Sequence, residues 1–99
     1  KYADLKAIIC ENDDMSMGAL QAAESQSREL VIIGTDAIPD ALKAVKDGRL
    51  SGTVLQDADT QASTSVDVAV KVANGETVEA RYDVPFQLIT IDNVDEFMK

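Results

Sequence analysis

Ninety-nine residues suffice for one domain with a modest core, since a chain this long buries about 60–70% of its unfolded surface. Nine Lys and Arg against 18 Asp and Glu give a net charge of −9, which repels phosphate backbones and anionic lipid and argues against nucleic acid as a partner. The sequence has no His and one Cys, so it offers no imidazole base, no His-activated nucleophile, no ordinary zinc site and no internal disulfide. Cys10 ends an apolar run and is expected to be a buried, inert thiol. No apolar run approaches the roughly 18 residues that span a bilayer. Lys1 stands where an initiator Met or a signal peptide would, so the expectation is a processed chain or a piece of a longer one.

The first apolar run covers residues 5–10 and is followed by Glu11-Asn12-Asp13-Asp14. Asp13 or Asp14 can cap a helix over residues 15–25, in which Met17, Leu20 and Ala23 keep helical spacing. A second run, residues 30–34, leads into Thr35-Asp36. Pro39 then fits the first turn of a helix with Leu42 and Val45 as its buried stripe, and Gly48 ends it. The third run, residues 50–55, is followed by Gln56-Asp57. Asp57 or Asp59 can cap a third helix with Ala62, Val66, Ala69, Val70 and Ala73 on one face, closed by Gly75. A last apolar run, residues 84–91, ends at Asp92-Asn93. Short, nearly continuous β-branched runs suit strands buried on both faces. Their alternation with helices predicts an α/β domain with a parallel open sheet, made of three strand–helix units and a final strand.

In an open parallel sheet, ligands bind beyond the carboxyl ends of the strands. Asn12, Asp36 and Gln56 each follow one strand, at spacings of 24 and 20 residues. Two amides and a carboxylate provide donors and acceptors but no nucleophile, a set suited to hydroxyl groups, each of which donates and accepts. A carboxylate that accepts from adjacent hydroxyls makes charge-assisted bonds. The plainer alternative is that Asn12 and Asp36 are turn formers or helix caps and that Gln56 is solvated. The acidic cluster of Glu11, Asp13 and Asp14 lacks the alternating, Gly-containing loop of a calcium site and reads as a helix N-terminus. No metal site, cofactor or catalytic residue is expected.

These segments carry a resemblance. Glu11-Asn12-Asp13-Asp14-Met15-Ser16-Met17-Gly18-Ala19-Leu20 resembles a strand-to-helix turn of periplasmic sugar-binding proteins of the ribose/galactose type. Ile33-Gly34-Thr35-Asp36-Ala37-Ile38-Pro39-Asp40-Ala41-Leu42 is similar to the next such turn. Asp47-Gly48-Arg49-Leu50-Ser51-Gly52-Thr53-Val54-Leu55-Gln56-Asp57 is similar to the third, and Ile91-Asp92-Asn93-Val94 resembles the closing segment. The second and third segments look nearest to the galactose type, whereas Gln56 agrees with the ribose type. Thr35 stands where ribose-type members place an aromatic.

The resemblance implies a truncated C-terminal lobe of a type I periplasmic binding protein, the solute-binding component of an ABC sugar importer. In that family the hydroxyl-binding positions of this lobe fall on Asn12, Asp36 and Gln56. The implied ligand is a monosaccharide such as galactose, glucose or ribose, and the implied protein partner is the membrane permease of the transporter. The implied location is the periplasm or the outer face of the cell envelope, with a lipid anchor as one possible form. Residues 1–56 would be the remaining part of the C-terminal lobe. Residues 57–90 would form the hinge crossing with a helix and strand packed on the N-terminal lobe, and residues 91–99 the return segment. Family members are about three times longer, so the isolated chain is expected to leave strand edges and apolar surface open and to self-associate. Two other readings stay open: the sugar-sensing effector core of a transcription repressor of the lactose-repressor type, and an enzyme. A basic helix-turn-helix in the full gene product would decide for the repressor. The missing His, nucleophile–base pair and phosphate-cradling Gly loop speak against the enzyme.

Overall fold

The computed structural model describes residues 2–98; the Lys1 start and Lys99 of the closing segment lie outside them. The elements are β1 (Ala7–Ile9), α1 (Asp13–Ser25), β2 (Val31–Thr35), α2 (Pro39–Lys46), β3 (Gly52–Leu55), α3 (Ala58–Ala73), β4 (Gln87–Ile89) and a 3-10 turn (Val94–Glu96). They form two compact units. One runs up to Leu55 and resumes at Gln87; the other is Gln56–Phe86.

In the first unit β1, β2 and β3 pair in parallel and in chain order, as strand–helix alternation requires. β4 departs from an all-parallel sheet: it lies antiparallel beside β3, with Leu55 opposite Gln87 and Thr53 opposite Ile89. The chain leaves this unit at the carboxyl end of β3 and re-enters at that same end, so the returning strand must run the other way.

Both crossover helices cover one face of the sheet, α1 against β1 and β2 and α2 against β3. Ile32 and Ile89 point to that face and join Leu20 and Ala23 of α1, Ala41, Leu42, Ala44 and Val45 of α2, Leu50 and Val94 in one core. Each large apolar side chain fully buried in this way contributes about 1.5–3 kcal/mol. Cys10 is buried as expected. Pro39 occupies the first turn of α2, and Gly48 follows its end with φ of 72°, a left-handed conformation that costs glycine nothing. The expectation of strands buried on both faces fails on the side away from the helices. Side chains alternate along a strand, and among the described residues Ile9, Val31 and Leu88 remain 85%, 51% and 54% exposed there.

The second unit contains α3. Asp57 caps it, its side chain accepting from the Thr60 N–H. No residue of α3 is buried. The expected stripe is open, with Val66 63% and Val70 53% exposed. The flank that is partly sheltered is a different one: Gln61, Thr64, Ser65 and Val68 line a cavity of about 440 Å³ with Tyr82, Val84 and Phe86.

Candidate functional site

Asn12 sits between β1 and α1 in extended backbone, and its Oδ1 accepts from the Met15 N–H at 2.9 Å. It is the N-cap of α1, a role the sequence assigned to Asp13 or Asp14. Both readings of Asn12 therefore meet in one side chain: the oxygen satisfies an orphan helix donor, and the amide Nδ2 is the part left to address a hydroxyl.

Asp36 directly follows β2 and is exposed. Its φ is 111° and that of Ala37 is 57°. Two consecutive non-glycine residues at positive φ cost on the order of 1–3 kcal/mol each and persist only where the surroundings over-determine them. Here three successive amides are tied down. Asp36 N donates to Val54 O at 2.9 Å, Ala37 N to Thr53 Oγ1 at 3.2 Å and Ile38 N to Asp13 Oδ2 at 3.0 Å.

Asp13, the first residue of α1, has no exposed surface. Thr53 Oγ1 donates toward both of its carboxyl oxygens, at 2.8 and 2.9 Å. The carboxylate thus links the start of α1, the middle of β3 and the turn that carries Asp36. Burial pushes the Asp13 carboxyl above its ordinary value; hydrogen bonds from Thr53, Ile38 and Ala37 pull it down, and the Asp36 charge adds to the rise. Gly34 is what lets Asp13 fit. A Cβ on Gly34 would lie 2.1 Å from Asp13 Oδ1 and 2.6 Å from Ser16 Oγ.

The segment after α2 is held in place residue by residue. Arg49 makes a bidentate pair with Glu24, both bonds 2.8 Å, and Ser51 Oγ accepts from Ile32 N at 3.1 Å. Gly52 has no room for a side chain, because a Cβ would meet the Ile89 carbonyl oxygen at 2.8 Å. Thr53 then supplies the hydroxyl on Asp13. Gln56 follows Leu55, the last residue of β3, and opens the second unit. Within that unit its carbonyl accepts from Gln61 Nε2.

The geometry of the first unit thus brings Asn12 and Asp36 to the carboxyl ends of the adjacent strands β1 and β2. The residues that sequence reasoning missed are Asp13 and Thr53. The signal for Asp13 was available in α1, where the stripe of Leu20 and Ala23 extends backwards at helical spacing through Ser16 to Asp13.

A periplasmic binding protein domain matches residues 1–77. The chain belongs to the periplasmic binding protein family. The ribose import binding protein of Salmonella typhimurium is 39% identical over 89% of the chain and 30% of its own length. The D-galactose/methyl-galactoside binding periplasmic protein of Haemophilus influenzae is 33% identical over 100% of the chain and 33% of its own length. Among solved structures, an ABC transporter solute binding protein from Bacillus halodurans with bound myo-inositol superposes with a TM-score of 0.86 and 43% identity, covering 97% of this chain and 34% of that one. The chain thus spans about a third of the length of these family members, and all three are solute-binding proteins.

Proposed function

We propose that this chain is part of the solute-binding component of an ABC sugar importer, and that Asn12, Asp36 and Gln56 hydrogen-bond the hydroxyls of a monosaccharide or a cyclic polyol. The observation that carries the reading is the Asp36 turn. An exposed carboxylate stands at the carboxyl end of a parallel strand on a strained backbone whose three amides are each held, and strain of this kind gathers at ligand sites. Family membership supports it, as do the named ligands of the relatives: ribose, galactose and myo-inositol.

In the whole protein the partner is the transporter's membrane permease and the location the periplasm or outer envelope face, with or without a lipid anchor. Residues 1–56 belong to one lobe, residues 57–90 to the crossing toward a second, and residues 91–99 to the return. Exit at Leu55 and re-entry opposite it at Gln87 are what a two-way crossing between lobes needs. No observation favours the repressor or the enzyme reading.

A thermal melt of the chain with ribose, galactose, glucose, xylose or myo-inositol tests the proposal. One lobe supplies about half of the bonds of a closed site, so the expected Kd is millimolar, about −4 kcal/mol. Roughly 10 mM ligand then stabilises by about 1.4 kcal/mol, a shift of several degrees for this size. The shift should appear with one or more sugars and vanish in Asp36→Ala. A cooperative melt indifferent to all five counts against the site.

A further inference from the structure

We infer that Asp13 and Thr53 are positioning residues for ligand binding: their buried hydrogen-bonded pair holds the Asp36–Ala37 turn in its left-handed conformation and so aims the Asp36 carboxylate beyond the strand ends. This rests on Asp36 being a ligand-binding residue, as proposed above. α2 begins without a side-chain cap, its N-cap residue being Ile38, and neither Asp36 nor Ala37 is a glycine. What holds the turn comes from elsewhere in the fold: the Val54 carbonyl, the Thr53 hydroxyl and the Asp13 carboxylate.

The Thr53 hydroxyl is central. It accepts from Ala37 N while its own proton goes to Asp13, so one O–H couples the turn to the start of α1. Asn12, the residue before Asp13, caps that same helix. The arrangement therefore fixes two candidate ligand-binding residues, just beyond the ends of neighbouring strands, with one buried carboxylate. Gly34 belongs to the same device, since its missing side chain is the space the Asp13 carboxyl occupies.

The test compares Thr53→Val, which keeps the shape and deletes the hydroxyl, with Thr53→Ser, which keeps the hydroxyl and deletes a methyl. Two readouts are followed by NMR on the 15N-labelled chain: amide exchange at Ala37 and Ile38, and titration with ribose and with myo-inositol. The expected result is exchange at least tenfold faster at both amides in Thr53→Val and a Kd at least tenfold weaker. Thr53→Ser should stay within about twofold of the wild type in both, although its lost methyl lowers the melting midpoint. A role in packing alone predicts the reverse: Thr53→Ser would lose affinity with its stability, and Thr53→Val would keep both the protected amides and the Kd. That result overturns the inference. If Thr53→Val does not fold, Asp13→Asn takes its place, with the same two amides and the same titrations. If neither sugar perturbs even the wild type, the ligand reading fails on its own, and unchanged amide protection in Thr53→Val would still refute the turn-holding role.

Discussion

Two helices written in the same grammar fare differently in this chain. α2, with eight residues, buries Ala41, Leu42, Ala44 and Val45 against the sheet. α3 is twice as long, starts from a better cap and buries nothing. Length and capping therefore do not decide which helix carries stability. Burial of an apolar face against a partner does, because helix propensity and caps contribute only tenths to about one kcal/mol per feature. The first unit is a sheet with its helices on one side; the second holds a helix whose Val66 and Val70 are left in water.

The largest expected effect exposes this contrast directly. Ile32 is 1% exposed at the centre of the core, so Ile32→Ala should cost about 2–5 kcal/mol by denaturant unfolding. Val70→Ala on the open stripe should stay within about 0.5 kcal/mol. Equal losses at the two positions would mean that α3 is covered in solution, and the contrast between the units would fail. The isolated chain is expected to associate through the open face of the sheet, where Ile9, Val31 and Leu88 form apolar surface of the kind that drives association. Light scattering at micromolar concentration should report a dimer or larger, and a monodisperse monomer would refute this.

Within the first unit, Gly34→Ala should come next. The added methyl meets Asp13 Oδ1 and Ser16 Oγ well inside contact distance, and overpacking of a tight site costs about 1–3 kcal/mol. If Asp13 is displaced as the geometry requires, the substitution should also loosen the Ala37 and Ile38 amides in hydrogen exchange. A loss of stability with both amides still protected would show that the helix moved and the carboxylate did not.

The parts legible in the sequence were those set by local chemistry. The three strand–helix units, the Pro39 start and Gly48 end of α2, and the Asp57 cap all follow from periodicity and turn residues. The antiparallel β4 was not legible, because the direction of a returning strand depends on where a 31-residue excursion, Gln56–Phe86, brings the chain back. The candidate site was legible as positions but not as roles. Asn12 was read as a ligand residue or a turn-forming cap, and Asp13 or Asp14 as the cap of α1; Asn12 is the cap, and Asp13 is the buried anchor of the next turn. A carboxylate can be buried when donors converge on it. Those donors come from residues 38 and 53, distances along the chain that no local pattern spans.

A smaller effect tests the division of labour at the start of α1. Asn12→Ala removes a cap and should cost about 1 kcal/mol, read in the unfolding midpoint. Asn12→Asp keeps an acceptor for Met15 N and should retain stability while losing the Nδ2 donor. If Asn12 serves both cap and ligand, the aspartate variant should melt like the wild type and show no shift with the sugar that stabilises it. A variant that keeps both its stability and the sugar shift would leave Asn12 a cap alone.

The smallest expected effect concerns pH and sets Asp13 apart from the exposed carboxylates. Its folded pKa is raised above the ordinary 3.8, chiefly by burial, so the folded chain holds that proton more tightly than the unfolded chain. Its contribution to stability is therefore fullest below the ordinary value and is lost as pH rises through the folded one. Glu24, lowered by its bond from Arg49, and Asp57, lowered by its bonds from Thr60, run the other way. Their contributions are present above the ordinary carboxylate values and lost as pH falls through the folded ones. The overall pH profile mixes both signs, so the informative quantity is the difference between the wild type and Asp13→Asn. On acidification from about pH 7 to about pH 4, the wild type should gain stability relative to the variant. A difference that stays constant would mean that the hydrogen bonds to the Asp13 carboxylate fully offset the cost of its burial. The anchor of the turn that carries Asp36 would then be a charged carboxylate whose donors, Thr53 and Ile38, compensate its loss of water.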